Sequence, residues 1–177
     1  MRKVLNFMIQ RIQTIYLALA IICMSLLLFF PIFSIEIISA DGDLKILADF
    51  GKDGVMVQDG LEIAQMPKMP IKFIYISFIA LTFLTLIFYK RRKRQLLLCR
   101  LNLFFYVIFV LGIYAIYFFG KSFIVENIAN QGEGKVELTF FMELGFFFLI
   151  PTIAFLYLAI RGIKNDENLV NSLDRIR

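Results

Sequence analysis

Hydrophobic positions in this chain gather into four long runs separated by short polar connections. The runs cover residues 14–33 (TIYLALAIICMSLLLFFPIF), 71–89 (IKFIYISFIALTFLTLIFY), 101–119 (LNLFFYVIFVLGIYAIYFF) and 138–160 (LTFFMELGFFFLIPTIAFLYLAI). A helix of about twenty apolar residues crosses the ~30 Å of hydrocarbon in a bilayer, and it is the one open-chain element that satisfies its own backbone there. The pattern therefore predicts four transmembrane helices. The first run is longer than the apolar core of about 7–15 residues in a cleaved signal, so it reads as a signal anchor. Short connections favour antiparallel neighbours. The expected fold class is an all-α membrane protein, a four-transmembrane-helix up-down bundle forming a single integral membrane domain over 1–177.

Composition sharpens this. Hydrophobic residues make up 60% and charged residues 19% of the 177 positions, against roughly half and a quarter in soluble domains. Aromatic residues at 16% run opposite to the composition of a disordered chain. Basic residues then set the orientation. Arg2, Lys3 and Arg11 precede the first run, Lys90, Arg91, Arg92, Lys93, Arg94 and Arg100 lie between the second and third, and Arg161, Lys164, Arg175 and Arg177 follow the fourth. They outnumber Lys45, Lys52, Lys68, Lys72, Lys121 and Lys135 on the other side, so both termini are expected in the cytoplasm. The run Lys90-Arg91-Arg92-Lys93-Arg94 also suits anionic lipid headgroups. Topological retention alone explains the run and is the preferred reading, and without a recognition fold the run gives no reason to expect nucleic acid.

The first outer loop, 34–70, is acidic, and its β-prone patches SIEIIS, LKILADF, GVMVQ and LEIA are broken at Asp41-Gly42, Asp53-Gly54 and Asp59-Gly60. Asp-Gly between such runs favours hairpins, so a small extracytoplasmic sheet of three or four strands is expected. The second outer loop, 120–137, carries a polar tip and no motif.

Chemistry-bearing groups are few. Histidine is absent, and Cys23 and Cys99 have no second ligand at metal spacing, so no metal site, cofactor or catalytic residue is assigned. Glu143 is the one acid inside a predicted span, with Lys72 and Lys121 as reachable partners. Thr139, Glu143, Ile150, Ala154, Tyr157 and Arg161 fall on one helical stripe, expected to face protein. In the second run Tyr75, Ser77, Thr82 and Thr85 make a mildly polar face suited to interhelical hydrogen bonds. Pro151 is expected to kink the fourth helix.

At the two ends, Gln10, Arg11 and Gln13 stand where the first helix enters the bilayer, and Gln10 and Gln13 can donate to neighbouring helix ends. In the tail, 161–177, Leu169, Leu173 and Ile176 recur at i, i+4 and i+7, which predicts a short cytoplasmic amphipathic helix with Asp166 and Glu167 near its start. That helix should lie along the membrane or dock on the basic 90–94 connection. MIQRIQTIYL at 8–17 and DENLVNSLDRIR at 166–177 resemble the signatures of an uncharacterised family of four-helix inner-membrane proteins from Bacteroidota. The resemblance implies a start at Met8, with 1–7 as an extension or alternative start. It makes Gln10, Arg11, Gln13, Asp174, Arg175 and Arg177 candidate partner-contact positions. The functional expectation is a non-enzymatic accessory or scaffold subunit of a multi-protein inner-membrane complex, in protein export or envelope biogenesis, with other inner-membrane proteins as partners. The alternative is a small ion-coupled transporter using Glu143.

Overall fold

The computed structural model describes residues 2–39, 45–51, 54–57, 71–129 and 136–174, with side chains described over 12–36, 49–51, 71–89, 91–120 and 139–168. Four helices account for most of the chain: α1 (Arg2–Leu26), α2 (Ile71–Ile87), α3 (Arg92–Ala129) and α4 (Leu144–Asp174). A four-stranded antiparallel sheet accompanies them, ordered β3-β2-β1-β4, with β1 at Phe33–Ser39, β2 at Lys45–Gly51, β3 at Gly54–Val57 and β4 at Val136–Met142. The fold is thus mostly helical, with a real β component. Two stretches are long and apolar enough to cross a membrane: Arg92–Gly120 in α3, of mean hydropathy 2.3, and Leu144–Asn168 in α4, of mean hydropathy 2.0. Ile12–Leu26 and Ile71–Ile87 are shorter apolar helices.

Several expected boundaries move. The first run does not stay helical to Phe33. It ends at Leu26, whose carbonyl takes the N–H groups of both Phe29 and Phe30, and Pro31 then has no N–H to continue the ladder. The fourth run begins as a strand rather than a helix, because Val136, Leu138, Phe140 and Met142 alternate with Glu137, Thr139 and Phe141 at the period of β structure. That strand pairs with β1, with Phe33 opposite Met142 and Ser39 opposite Val136. Three strands of the sheet come from the 34–70 loop as expected, and the fourth comes from this second segment. The LEIA patch lies outside the described residues. Helix α3 continues past the predicted end at 119 to Ala129 and absorbs half of the supposed second loop. The tail is no separate helix, for α4 runs unbroken through it to Asp174.

The chain divides into two compact units. The helical unit holds 1–25, 76–107 and 149–177. Its core contains Leu17, Ala20 and Met24 from α1, Phe78 and Thr82 from α2, Cys99 and Tyr106 from α3, and Leu156, Ala159 and Ile163 from α4. The sheet unit holds 26–75 and 108–148. Its core is aromatic. Phe33 and Phe50, paired across β1 and β2, stack with ring centroids 4.4 Å apart. Tyr117 of α3 meets Phe140 of β4 edge-on at 5.5 Å and Phe33 at 6.1 Å. Offset and edge-on geometries of this kind add about 0.5–1.5 kcal/mol per pair beyond area burial.

Candidate functional site

The helical unit buries polar side chains within its apolar core and exposes large apolar ones. On α3, Gln95, Cys99, Asn102 and Tyr106 recur at i, i+4, i+7 and i+11 and are all buried. On the same helix Leu97, Leu101, Phe104 and Phe105 are exposed. Within the two long apolar stretches only 28% of α3 and 33% of α4 is buried, whereas the central helix of a soluble protein hides its apolar residues.

The buried polar groups meet across helices. The Asn102 Nδ2 donates to Thr82 Oγ1 at 2.6 Å, and that hydroxyl donates to the Phe78 carbonyl one turn back on α2 at 2.8 Å. The Thr82 hydroxyl also lies 3.6 Å from the Met24 sulfur, which brings α1 to the same point. Asn102 Oδ1 is buried without a hydrogen-bond partner among the described residues. The Cys99 thiol of α3 donates to the Leu156 carbonyl of α4 at 3.8 Å. These contacts tie α1 to α2, α2 to α3, and α3 to α4.

A second polar group joins α1 to the far end of the apolar stretch of α4. Gln13, buried on α1, donates from Nε2 to Asp166 Oδ2. Gly162 makes room for it, since a Cβ there would stand 2.9 Å from the Gln13 Cγ. Arg92, the first residue of α3, donates from Nη1 to the Asp166 carbonyl at 3.2 Å. Asp166 Oδ1 is buried without a hydrogen-bond partner among the described residues.

The third polar contact belongs to the sheet unit. Glu143 is not inside a helix, as the sequence suggested, but at the joint between β4 and α4. Its Oε1 accepts from the Ser34 hydroxyl at 2.9 Å, and its N–H donates to the Ile32 carbonyl at 3.0 Å. Two residues on, Gly145 N–H donates to the Pro31 carbonyl at 2.9 Å, so the segment after α1 satisfies a donor that the first turn of α4 leaves open. A Cβ at Gly145 would lie 2.4 Å from that oxygen.

The positions singled out in the sequence are distributed as follows. Gln13 is buried against Asp166. Gln10 and Arg11 lie on α1 and Asp174 ends α4, with side chains outside the described set, as is that of Lys121 on α3, while Arg175 and Arg177 lie outside the described residues. Lys72 is half-exposed, 5.9 Å from the Phe73 ring. The supposed protein-facing stripe of the fourth run fails twice. Thr139 lies on β4, and Ile150, Ala154, Tyr157 and Arg161 are exposed, while Thr152, Leu156, Ala159 and Ile163 face the core. The reason is the strand, which sets the helix face independently of residues before 144. On α2, Tyr75, Thr82 and Thr85 are buried and Ser77 is exposed.

Sequence reasoning missed Asp166 as a partner for Gln13, and it missed the polar stripe of α3. The stripe had a signal, a run of polar side chains at helical spacing in an otherwise aliphatic and aromatic helix. Chemically, these groups are equipped to hold helices in register. Among the described residues no three His, Cys, Asp or Glu side chains come together as a metal site. No curated protein matches the chain. A family model matches residues 9–176, and the chain accordingly belongs to the family described as Domain of unknown function (DUF4293).

Proposed function

We propose that this protein is a four-span membrane scaffold, an accessory subunit of a multi-protein inner-membrane complex in protein export or envelope biogenesis, with both termini in the cytoplasm. The observation that carries the reading is that the helical unit buries polar side chains while exposing large apolar ones. Gln13, Gln95, Asn102, Thr82 and Thr152 are buried while Ile15, Ile22, Phe83, Leu84, Leu97 and Phe104 are exposed, an arrangement stable in hydrocarbon and costly in water. At 1.5 Å per residue the apolar parts of α1 and α2 reach about 22 and 25 Å, and the apolar residues that follow each of them extend the hydrophobic band toward ~30 Å. The basic 90–94 connection and the basic ends favour the cytoplasmic side for both termini.

A scaffold role draws support from where the polar groups are directed. Gln13 and Asp166, Asn102 and Thr82, and Ser34 and Glu143 bond each other within the chain, which fixes helix positions. The outward surface is left apolar and rich in large side chains, suited to other membrane proteins and lipid. The alternative of an ion-coupled carrier using Glu143 has less to rest on, because that carboxylate is bonded to Ser34 at a strand–helix joint. Purification of the tagged chain in a mild detergent tests the proposal. A stoichiometric membrane partner is the expected result; a clean monomer by native mass measurement contradicts it.

A further inference from the structure

The five consecutive cations at 90–94 look equivalent in the sequence and are not equivalent in the fold. Phe88–Lys90 form a single 3-10 turn, Arg91 closes it with its N–H on the Phe88 carbonyl, and α3 starts at Arg92. Arg92 is drawn inward to the Asp166 carbonyl. Arg91, Lys93 and Arg94 are exposed. From Lys93 one exposed stripe continues along α3 through Leu97, Leu101 and Phe104, at i+4, i+8 and i+11, with the exposed Arg100 beside it. Over about 16 Å of helix it passes from cationic to fully apolar.

We propose that Arg91, Lys93 and Arg94 form a binding surface for the phosphate of an anionic phospholipid, whose acyl chains run along the Leu97–Phe104 stripe. The proposal rests on the membrane reading above and goes beyond it by assigning separate tasks within one basic run. Topological retention depends on how many cations flank a span. A bound headgroup needs more: cations that are exposed, without a side-chain partner among the described residues, and continuous with an apolar face of the same helix. Arg91, Lys93 and Arg94 with the stripe below them meet both needs on charge and geometry. Arg92 meets neither, and its task is to join the start of α3 to the α4 extension.

The full chain, reconstituted into phosphatidylcholine liposomes with a trace of spin-labelled lipid, provides the test. Spin-labelled phosphatidylglycerol should be motionally restricted by the protein more than spin-labelled phosphatidylcholine. Arg91→Gln/Lys93→Gln/Arg94→Gln together should remove that preference, a loss of about tenfold or more in relative affinity. Arg91→Gln or Arg94→Gln alone should remove part of it, which keeps the test informative if the triple variant fails to insert. Arg92→Gln should leave the preference intact. The proposal is overturned if the unaltered protein has no preference or if Arg92→Gln abolishes it as fully as the triple change. It is also overturned if inorganic phosphate displaces the lipid where chloride of equal ionic strength does not. A chain that alkaline carbonate strips from the liposomes defeats the membrane reading itself; a retained chain without lipid preference defeats this inference alone.

Discussion

Gln13 and Asp166, 153 positions apart in the chain, form a buried amide-to-carboxylate hydrogen bond between α1 and α4. The bond exists because Gly162, one turn before Asp166, leaves the volume that Gln13 fills. The two residues and the glycine therefore act as one device. Gln13→Ala should destabilise the protein by about 1–3 kcal/mol, since it strips the donor from a buried carboxylate. Gly162→Ala should cost about as much by pushing Gln13 off Asp166. The double variant should cost clearly less than the two added together, because the alanine at 13 vacates the contested space. Thermal unfolding in detergent measures all three, and strict additivity would show that the glycine serves another purpose.

Asp166 also carries a buried oxygen, Oδ1, without a hydrogen-bond partner among the described residues. Asp166→Asn keeps an acceptor for Gln13 and removes the charge, so it should raise the unfolding midpoint at neutral pH. An unchanged or lowered midpoint, read by thermal unfolding in detergent, would mean that the carboxylate is better satisfied than its surroundings indicate.

At the joint between β4 and α4, Gly145→Ala should be among the most damaging single substitutions in the chain. The new methyl would meet the Pro31 carbonyl at 2.4 Å and the Phe30 carbonyl at 2.8 Å, both of them backbone atoms with little freedom to retreat. A loss of about 3 kcal/mol or more is expected, with collapse of the membrane-inserted pool on a quantitative blot. Gly112→Ala, which would meet nothing within 4 Å, is the matched control and should be silent.

The Asn102–Thr82 bond is a more modest element. Interhelical hydrogen bonds in membranes average about 0.6 kcal/mol, because the separated helices also find partners. Asn102→Ala should cost that plus the packing of a fully buried side chain, about 1–2 kcal/mol in all. Thr82→Val should cost less, since it keeps the volume. Equal, large losses from both would point to a tighter polar network than these bonds describe.

Much of the architecture was legible because lipid-scale apolar runs are long and the turn chemistry of Asp53-Gly54 is strong. The β2–β3 hairpin falls there, with Gly51 opposite Gly54. What escaped has physical reasons. An apolar run says how long an element is, not whether it is a strand or a helix, so β4 was hidden inside the fourth run although its two-residue alternation was present. Gln13 stood out as an amide in an odd position, but its partner could not be read from it. Asp166 lies next to Glu167, and either could have been a solvated acid at a helix start. The basic run shows its charge in sequence and conceals its division, because the helix start at Arg92 turns that side chain toward α4 while Arg91, Lys93 and Arg94 stay exposed.

The central claim is that polar residues face inward on helices that cross the bilayer an even number of times. Paired reporter fusions test it most directly, with alkaline phosphatase inserted in the 58–70 segment and green fluorescent protein fused after Arg177. Active phosphatase at the insertion together with a fluorescent C-terminal fusion is the predicted result. A dark C-terminal fusion, or an inactive phosphatase at the insertion, would contradict the account.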